Sequence, residues 1–429
     1  MNGPTRWARR AGSDRARLGL RLGGFTAIPL FSSFMPLLLL PALARVSGTG
    51  GWAALGTGQA LGTMGAVIVS WGWWLAGPAG YAAAVTDRQK HELFISSVQT
   101  RVCVSGLILP IVFVAAWFLA NQPWRLEASM VAIAIAMSGL TPGWFCIAGG
   151  RPGLLAAYEA VPKLLATAGA GVIVVATHNV MAYPILLIVM TLGALVVFVV
   201  REISPDARHA RPLADVLATL REQAPIVTSN AFGAAYSSTP MPVASALSPA
   251  VSAAAFSSGE RLYRIAQISI LALANGLQKW VLEAHGTAAV RRQRTAIWAH
   301  VALGVAGAAG IGALGPAISR VLFGSKVQAS YATTIGFGVA FFFVCVATPF
   351  GRNLLIPAGR RARLLLGTGS GAIVGVPMMV GGYYLLGVAG VAIALAVSEA
   401  LVFVILLRPA RIALADIRRG EESLKVDAS

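Results

Sequence analysis

Apolar runs recur from Leu22 to Leu407, separated only by short polar stretches. Each is close to the roughly 20 residues a helix needs to cross the hydrocarbon core of a bilayer. Solid runs such as Gly169–Ala176 and Leu186–Val200 fit helices. They do not fit barrel strands, which alternate in polarity over about ten residues. Lipid admits only these two spanning structures, because backbone N–H and C=O groups find no water there. The pattern therefore predicts an all-α, polytopic membrane protein.

The runs divide into twelve spans. The first six are Leu22–Leu43, Ala53–Ala76, Val102–Ala120, Ser129–Ala148, Ala160–Ala176 and Met181–Val200. The second six are Ile226–Leu247, Gly259–Leu282, Ile297–Ile318, Thr334–Ile356, Leu364–Leu386 and Val388–Leu407. The expected organisation is a basic N-terminal tail (1–21), a six-helix lobe (22–200), a cytoplasmic linker (201–225), a second six-helix lobe (226–407) and a C-terminal tail (408–429). Within the linker, Leu213, Val216, Leu217 and Leu220 share one face, which predicts a short helix over 212–223 lying on the inner membrane surface. Six spans per lobe would make any repeats parallel, about an axis along the membrane normal.

Charge orients these spans. The chain carries 34 Lys and Arg against 16 Asp and Glu, a net charge of +18. With the N-terminus cytoplasmic, 27 of the basic residues fall in the tails and inner connections, Arg261, Arg264 and Lys279 fall within the eighth span, and only Arg45, Arg125, Arg320 and Lys326 fall outside. This is the positive-inside asymmetry. It predicts both termini in the cytoplasm and a bacterial cytoplasmic membrane. It also removes the need for a nucleic-acid partner. Hydrophobic residues make up 57% of the chain, charged residues 12%, and mean hydropathy is +0.73, so soluble enzyme classes are excluded. The first run is too long and Pro-interrupted for a cleaved signal, and is expected to remain as a span.

The motifs for other chemistries are missing. The chain has no GxxxxGK[ST] phosphate loop, and His91-Glu92 lacks the second His of a zinc helix. GIGALG (Gly310–Leu314 with Gly315) matches GxGxxG by letter but sits in an apolar span, where small residues serve close helix packing. Cys103, Cys146 and Cys345 lie in apolar segments without CxxC spacing and read as small hydrophobes. No catalytic residue, metal ligand or cofactor is expected, nor is enzyme activity.

Ionisable residues inside spans are functional candidates by default. Glu260, Arg261 and Arg264 open the eighth span at its expected outer end. Arg261 and Arg264, three apart, share a helix face. They could form a cationic site for a phosphate or carboxylate, or simply snorkel with Glu260 neutralising one of them. Glu159 and Lys163, four apart at the start of the fifth span, could be a helix-surface pair or line a cavity. Glu399 lies deep in the last span, either as a coupling-proton site or as a hydrogen-bonded acid holding helices together. The seventh span carries Thr228, Ser229, Asn230, Ser237, Ser238 and Thr239, a possible hydrophilic path, with Pro240 and Pro242 placed to kink it.

Three stretches resemble the polysaccharide-biosynthesis flippases of the multidrug/oligosaccharidyl-lipid/polysaccharide exporter superfamily. Ala254–Leu282, AAFSSGERLYRIAQISILALANGLQKWVL, is similar to that family's entry into the eighth helix. Gly387–Leu407 is similar to its closing helix, with Glu399 at the Glu position, and Thr141–Leu165 to the turn before its fifth helix. Two features depart from the pattern. Val376–Gly382 replaces an Asn-rich start of the eleventh helix, and Phe256 stands where Tyr is usual. The resemblance implies a two-lobe, alternating-access exporter that turns a polyprenyl-diphosphate-linked oligosaccharide across the membrane. The implied partners are the lipid-linked glycan, membrane lipids and glycan polymerase or ligase machinery. It also implies that Arg261 and Arg264 help hold the diphosphate and that the polar seventh helix, which carries Asn230, passes the sugars; Glu260 and Lys163 are further candidates for the cavity lining by position alone.

The alternative is a drug or small-solute exporter, of this superfamily or of major-facilitator type. The inner loop Thr86–His91 begins Asp87-Arg88 like a facilitator loop but lacks its flanking glycines. A membrane-embedded glycan polymerase or ligase would need a large outer loop, and no outer connection exceeds about 15 residues.

Overall fold

The computed structural model describes residues 39–426 apart from residues 210, 285 and 286. The N-terminal tail and residues 22–38 of the first expected span therefore lie outside the described residues. The regular structure of the described residues is helical throughout. In chain order the helices are α1 (39–69), α2 (Trp73–Ala83), α3 (Asp87–Leu119), α4 (Arg125–Ala136), α5 (Gly143–Ala148), α6 (Pro152–Leu155), α7 (Val161–Thr177) and α8 (Ala182–Glu202). They continue as α9 (Leu213–Ser238), α10 (Pro240–Leu247), α11 (Ala250–Leu282), α12 (Thr287–Ala309), α13 (Gly315–Phe323), α14 (Tyr331–Pro349), α15 (Arg361–Leu386) and α16 (Val388–Val426). A 3-10 turn (Met137–Leu140) follows α4. π-turns join α6 to α7 (Ala156–Ala160) and α12 to α13 (Gly310–Leu314), and a third extends α14 (Phe350–Leu355).

Among the described residues ten helical stretches are long and apolar enough to cross a membrane. They match the second to sixth and eighth to twelfth expected spans. The seventh is present as the end of α9 followed by α10, and the break falls at Thr239–Pro240. A proline lacks the N–H that would continue the helix ladder, so the expected kink is found there. Gly310–Leu314 lies inside a spanning helix, in a π-turn that follows α12 rather than a strand.

Several boundaries differ from expectation. The outer connection between the first two spans, containing Arg45, is helical and belongs to α1. The second span is instead interrupted further in, at Ser70–Gly72, where Trp71 and Gly72 adopt positive φ. The expected surface helix over 212–223 is no separate element. It is the first half of α9, which runs on into the seventh span. The eighth span begins at Ala250, nine residues before Gly259, because small Ala and Ser residues give little hydropathy yet form helix readily. Glu260–Arg264 therefore sit about a third of the way along α11, not at its end. The last helix continues past Leu407 to Val426, through Pro409.

The chain forms two compact units. Of the described residues, the first comprises 39–43, Gly65–Val114 and Ser129–Thr228. Its core is aromatic: Trp73 stacks on Trp144 at 5.5 Å, and Phe94 meets Phe145 and Phe198 at 5.0 Å each. The second comprises Ala44–Met64, Ala115–Ala128 and Ser229–Ser429. In it α14 packs on α11, α12 and α16, and α15 pairs with α16. The α15–α16 hairpin turns at Gly387, with φ 61°. There a Cβ on Gly390 would come within 1.8 Å of the Gly382 carbonyl oxygen, so the two backbones touch. Small residues allow this approach, which replaces hydrophobic drive as the source of helix association in lipid.

Candidate functional site

The second unit holds a polar cluster on the first half of α11. Arg261 and Glu260 are each only 5% exposed. Arg261 donates through Nη1 to Oε1 of Gln59, and its guanidinium lies 4.3 Å from the centroid of the Trp52 ring. A cation over an aromatic face gains on the order of 2 kcal/mol when desolvated. Trp52 is itself fixed, donating from Nε1 to Oγ of Ser258 at 2.9 Å. Trp52, Gly56 and Gln59 follow one face of α1 at helical spacing. A Cβ on Gly56 would meet Ser257 Oγ at 2.6 Å, so glycine lets that face lie against α11.

Arg264 makes a different set of contacts. Its Nε donates to Glu260 Oε1 at 2.6 Å and its Nη2 to the Ser237 carbonyl at 2.8 Å. The Glu260 side chain is 7% exposed and that of Arg264 30%, so the carboxylate is sealed beneath a guanidinium that solvent or a ligand can reach. The turn Glu260–Arg264 carries two guanidinium groups against one carboxylate. Around it the buried hydroxyls of Ser238 and Ser257 make no hydrogen bond within the described residues. Such groups mark a region that accommodates water or a polar ligand.

The other expected residues divide between the units. Asn230 is exposed on α9, in the second unit, with no side-chain partner among the described residues. On the same stretch Thr228, Ser237 and Thr239 bond back to carbonyls of their own helix, those of Ala224, Ala234 and Ala235. Those hydroxyls thus have their donors directed inward along the helix. Glu399 lies partly buried on α16, also in the second unit, beside the hydroxyl of Tyr236 and next to Ser398, whose Oγ donates to the Gly371 carbonyl at 2.8 Å. Lys163 and Glu159 belong to the first unit and pair with each other at 3.0 Å. Glu159 sits in the π-turn Ala156–Ala160, and its second oxygen is buried without a partner.

Two further arginines, Arg101 and Arg352, lie in helical turns and make contacts that the sequence did not single out. Arg101 is fully buried in α3, donating to the carbonyls of Ser97, Gly139 and Thr141 and to Ser97 Oγ, at 2.8–3.1 Å. Gly139 and Thr141 flank the break between α4 and α5, where carbonyls lose their intrahelical partners. Arg101 is therefore a rivet that satisfies a broken spanning helix. Arg352 lies in the π-turn that extends α14. Trp52 and Gln59 were missed because each is a single polar or aromatic residue in an apolar run. Their role depends on contact with α11 about two hundred residues away.

No family model matches the sequence, and no curated protein matches it. Solved structures do. A multidrug-resistance MATE family transporter of the MOP superfamily, in an inward-facing conformation, superposes with a TM-score of 0.70 at 13% identity, covering 91% of this chain and 98% of that one. The lipid II flippase MurJ, in an inward closed conformation, gives 0.67 at 10% identity, covering 92% and 90%. A MATE protein in complex with MaL6 gives 0.53 at 13% identity over 93% and 94%. This chain has the fold shared by MATE transporters and MurJ. The likeness runs the length of both chains in each case.

Proposed function

We propose that this protein is an alternating-access transporter that carries a polyprenyl-diphosphate-linked oligosaccharide across a bacterial cytoplasmic membrane for surface-polysaccharide synthesis. This reading puts both termini in the cytoplasm, and the basic-residue asymmetry supports it. The observation that carries the reading is the α11 turn Glu260–Arg264. It holds two guanidinium groups inside a spanning helix, one clamped by Trp52 and Gln59 and the other reachable above a buried carboxylate. Charges at such depth are costly unless they serve a site. Guanidinium donors suit phosphate oxygens in geometry and charge. The fold is one that MurJ, a lipid II flippase, also adopts.

The same fold in a multidrug-resistance MATE transporter supports a second reading, a drug exporter. The two differ in the sign of the expected cargo. A cationic drug would need an exposed carboxylate, whereas here Glu260 is covered and Arg264 is presented. Replacing both Arg261 and Arg264 with Gln should reduce surface polysaccharide by at least about tenfold, the scale of one lost charge-assisted contact, with unchanged amounts of inserted protein. Normal polysaccharide in that double variant would contradict the assignment.

A further inference from the structure

Helix α11 is polar along one face well beyond Arg264. Ser257, Glu260, Arg264, Gln267, Asn275 and Gln278 follow one another at three- and four-residue steps, with Leu271 as the one apolar position in the series. At about 1.5 Å per residue, Asn275 and Gln278 lie roughly 16 to 21 Å along the helix from Arg264. At that end the stripe meets a third guanidinium. Arg352 donates through Nη2 to Asn275 Oδ1 at 2.5 Å and to Gln278 Oε1 at 2.9 Å.

The chemistry of this contact is unusual for a structural arginine. Both hydrogens of Nη2 are taken by neutral amide oxygens, and no carboxylate pairs with Arg352 among the described residues. Nε and Nη1 keep their three donors, and neither nitrogen is a buried group lacking a partner, so those donors face accessible space. The residue sits in the π-turn Phe350–Leu355 after Pro349. Such turns add one residue to a helix turn and re-aim a side chain, frequently at functional sites. The buried amide oxygens of Gln293 and of Asn353, the residue after Arg352, also lack a partner among the described residues. Arg101 offers the contrast, since each of its three guanidinium nitrogens donates to a backbone or hydroxyl oxygen of its own core.

We propose that Arg352, oriented by Asn275 and Gln278, is a second anion-binding station for the diphosphate group of the lipid-linked cargo, at the far end of the α11 polar stripe from Arg264. The inference rests on the lipid-diphosphate reading of the cargo and adds to it a site separate from Glu260–Arg264. A diphosphate leaving one station would find the other along the same helix face.

The test is equilibrium binding to the full chain in lipid nanodiscs, with a long-chain prenyl diphosphate and inorganic diphosphate as separate probes. Arg352→Gln should weaken prenyl diphosphate binding about tenfold, the loss of one charge-assisted contact. Arg352→Lys, which keeps the charge, should retain most of the affinity. Equal losses in both variants would mark a packing role and overturn the proposal. Unchanged binding in Arg352→Gln, with binding lost in Arg264→Gln, would also overturn it while leaving the cargo reading intact. If the wild-type protein binds inorganic diphosphate through Arg352 but ignores the prenyl lipid, the anion site stands and the cargo reading fails. If neither probe binds, both fail.

Discussion

Arg101 and Arg264 are both guanidinium groups inside spanning helices, yet their surroundings set them to different tasks. Arg101 is enclosed, and its Nη1 donates to two carbonyls at the α4–α5 break. Removing it leaves the carbonyls of Gly139 and Thr141 without donors, and each such buried group costs about 1–3 kcal/mol. Arg101→Met should therefore lower thermal stability in detergent by several degrees, read from the unfolding midpoint. An unaltered midpoint in Arg101→Met would remove the rivet assignment. Spacing set Arg261 and Arg264 three apart and let Glu260 neutralise one of them; the structure shows that one to be Arg264, while Arg261 turns to other partners. Spacing could not reveal Trp52 and Gln59, whose contact with Arg261 exists only after α1 and α11 pack. Arg101 was obscured for a different reason. It closes a charged stretch from Asp87 that reads as a loop, and only the structure shows α3 starting at Asp87.

At the level of elements, hydropathy located the spans well and their ends poorly. The apolar centres of α8, α14 and α15 stand where the runs predicted. The ends moved wherever helix continued through residues of low hydropathy. Examples are Ala250–Ser258 at the start of α11, Leu213–Gln223 in α9 and the charged final turns of α16. Helix formation depends on backbone bonding and tertiary support, which mean polarity does not measure. The breaks at Ser70–Gly72 and Met137–Thr141 were invisible for the same reason. The kink at Pro240 was legible because proline removes a specific N–H. Close backbone approach makes the α15–α16 hairpin the element most sensitive to added volume. Gly390→Val would place a side chain against the Gly382 carbonyl and should cost about 1–3 kcal/mol as an overpacked contact. Its measure is the fraction of monodisperse protein after extraction and heating. Wild-type behaviour would show that the hairpin opens without penalty.

For the whole molecule, unbroken hydrophobicity and the distribution of basic residues gave an oriented, polytopic helical protein, and the fold shared with MATE transporters and MurJ agrees with the first part of that. Fold alone leaves both proposed cargoes, a lipid-linked sugar and a drug, in play. What favours the proposed lipid-diphosphate cargo is the set of guanidinium groups along α11, from Arg261 and Arg264 to Arg352, which Asn275 and Gln278 hold. The most direct measurement is therefore translocation of a labelled prenyl-diphosphate-linked oligosaccharide by the purified protein in proteoliposomes, with a cationic dye assayed in parallel. The account predicts movement of the lipid-linked sugar by the wild-type protein, its loss in the Arg261→Gln, Arg264→Gln variant, and no dye transport. Dye transport with no movement of the lipid-linked sugar would contradict it.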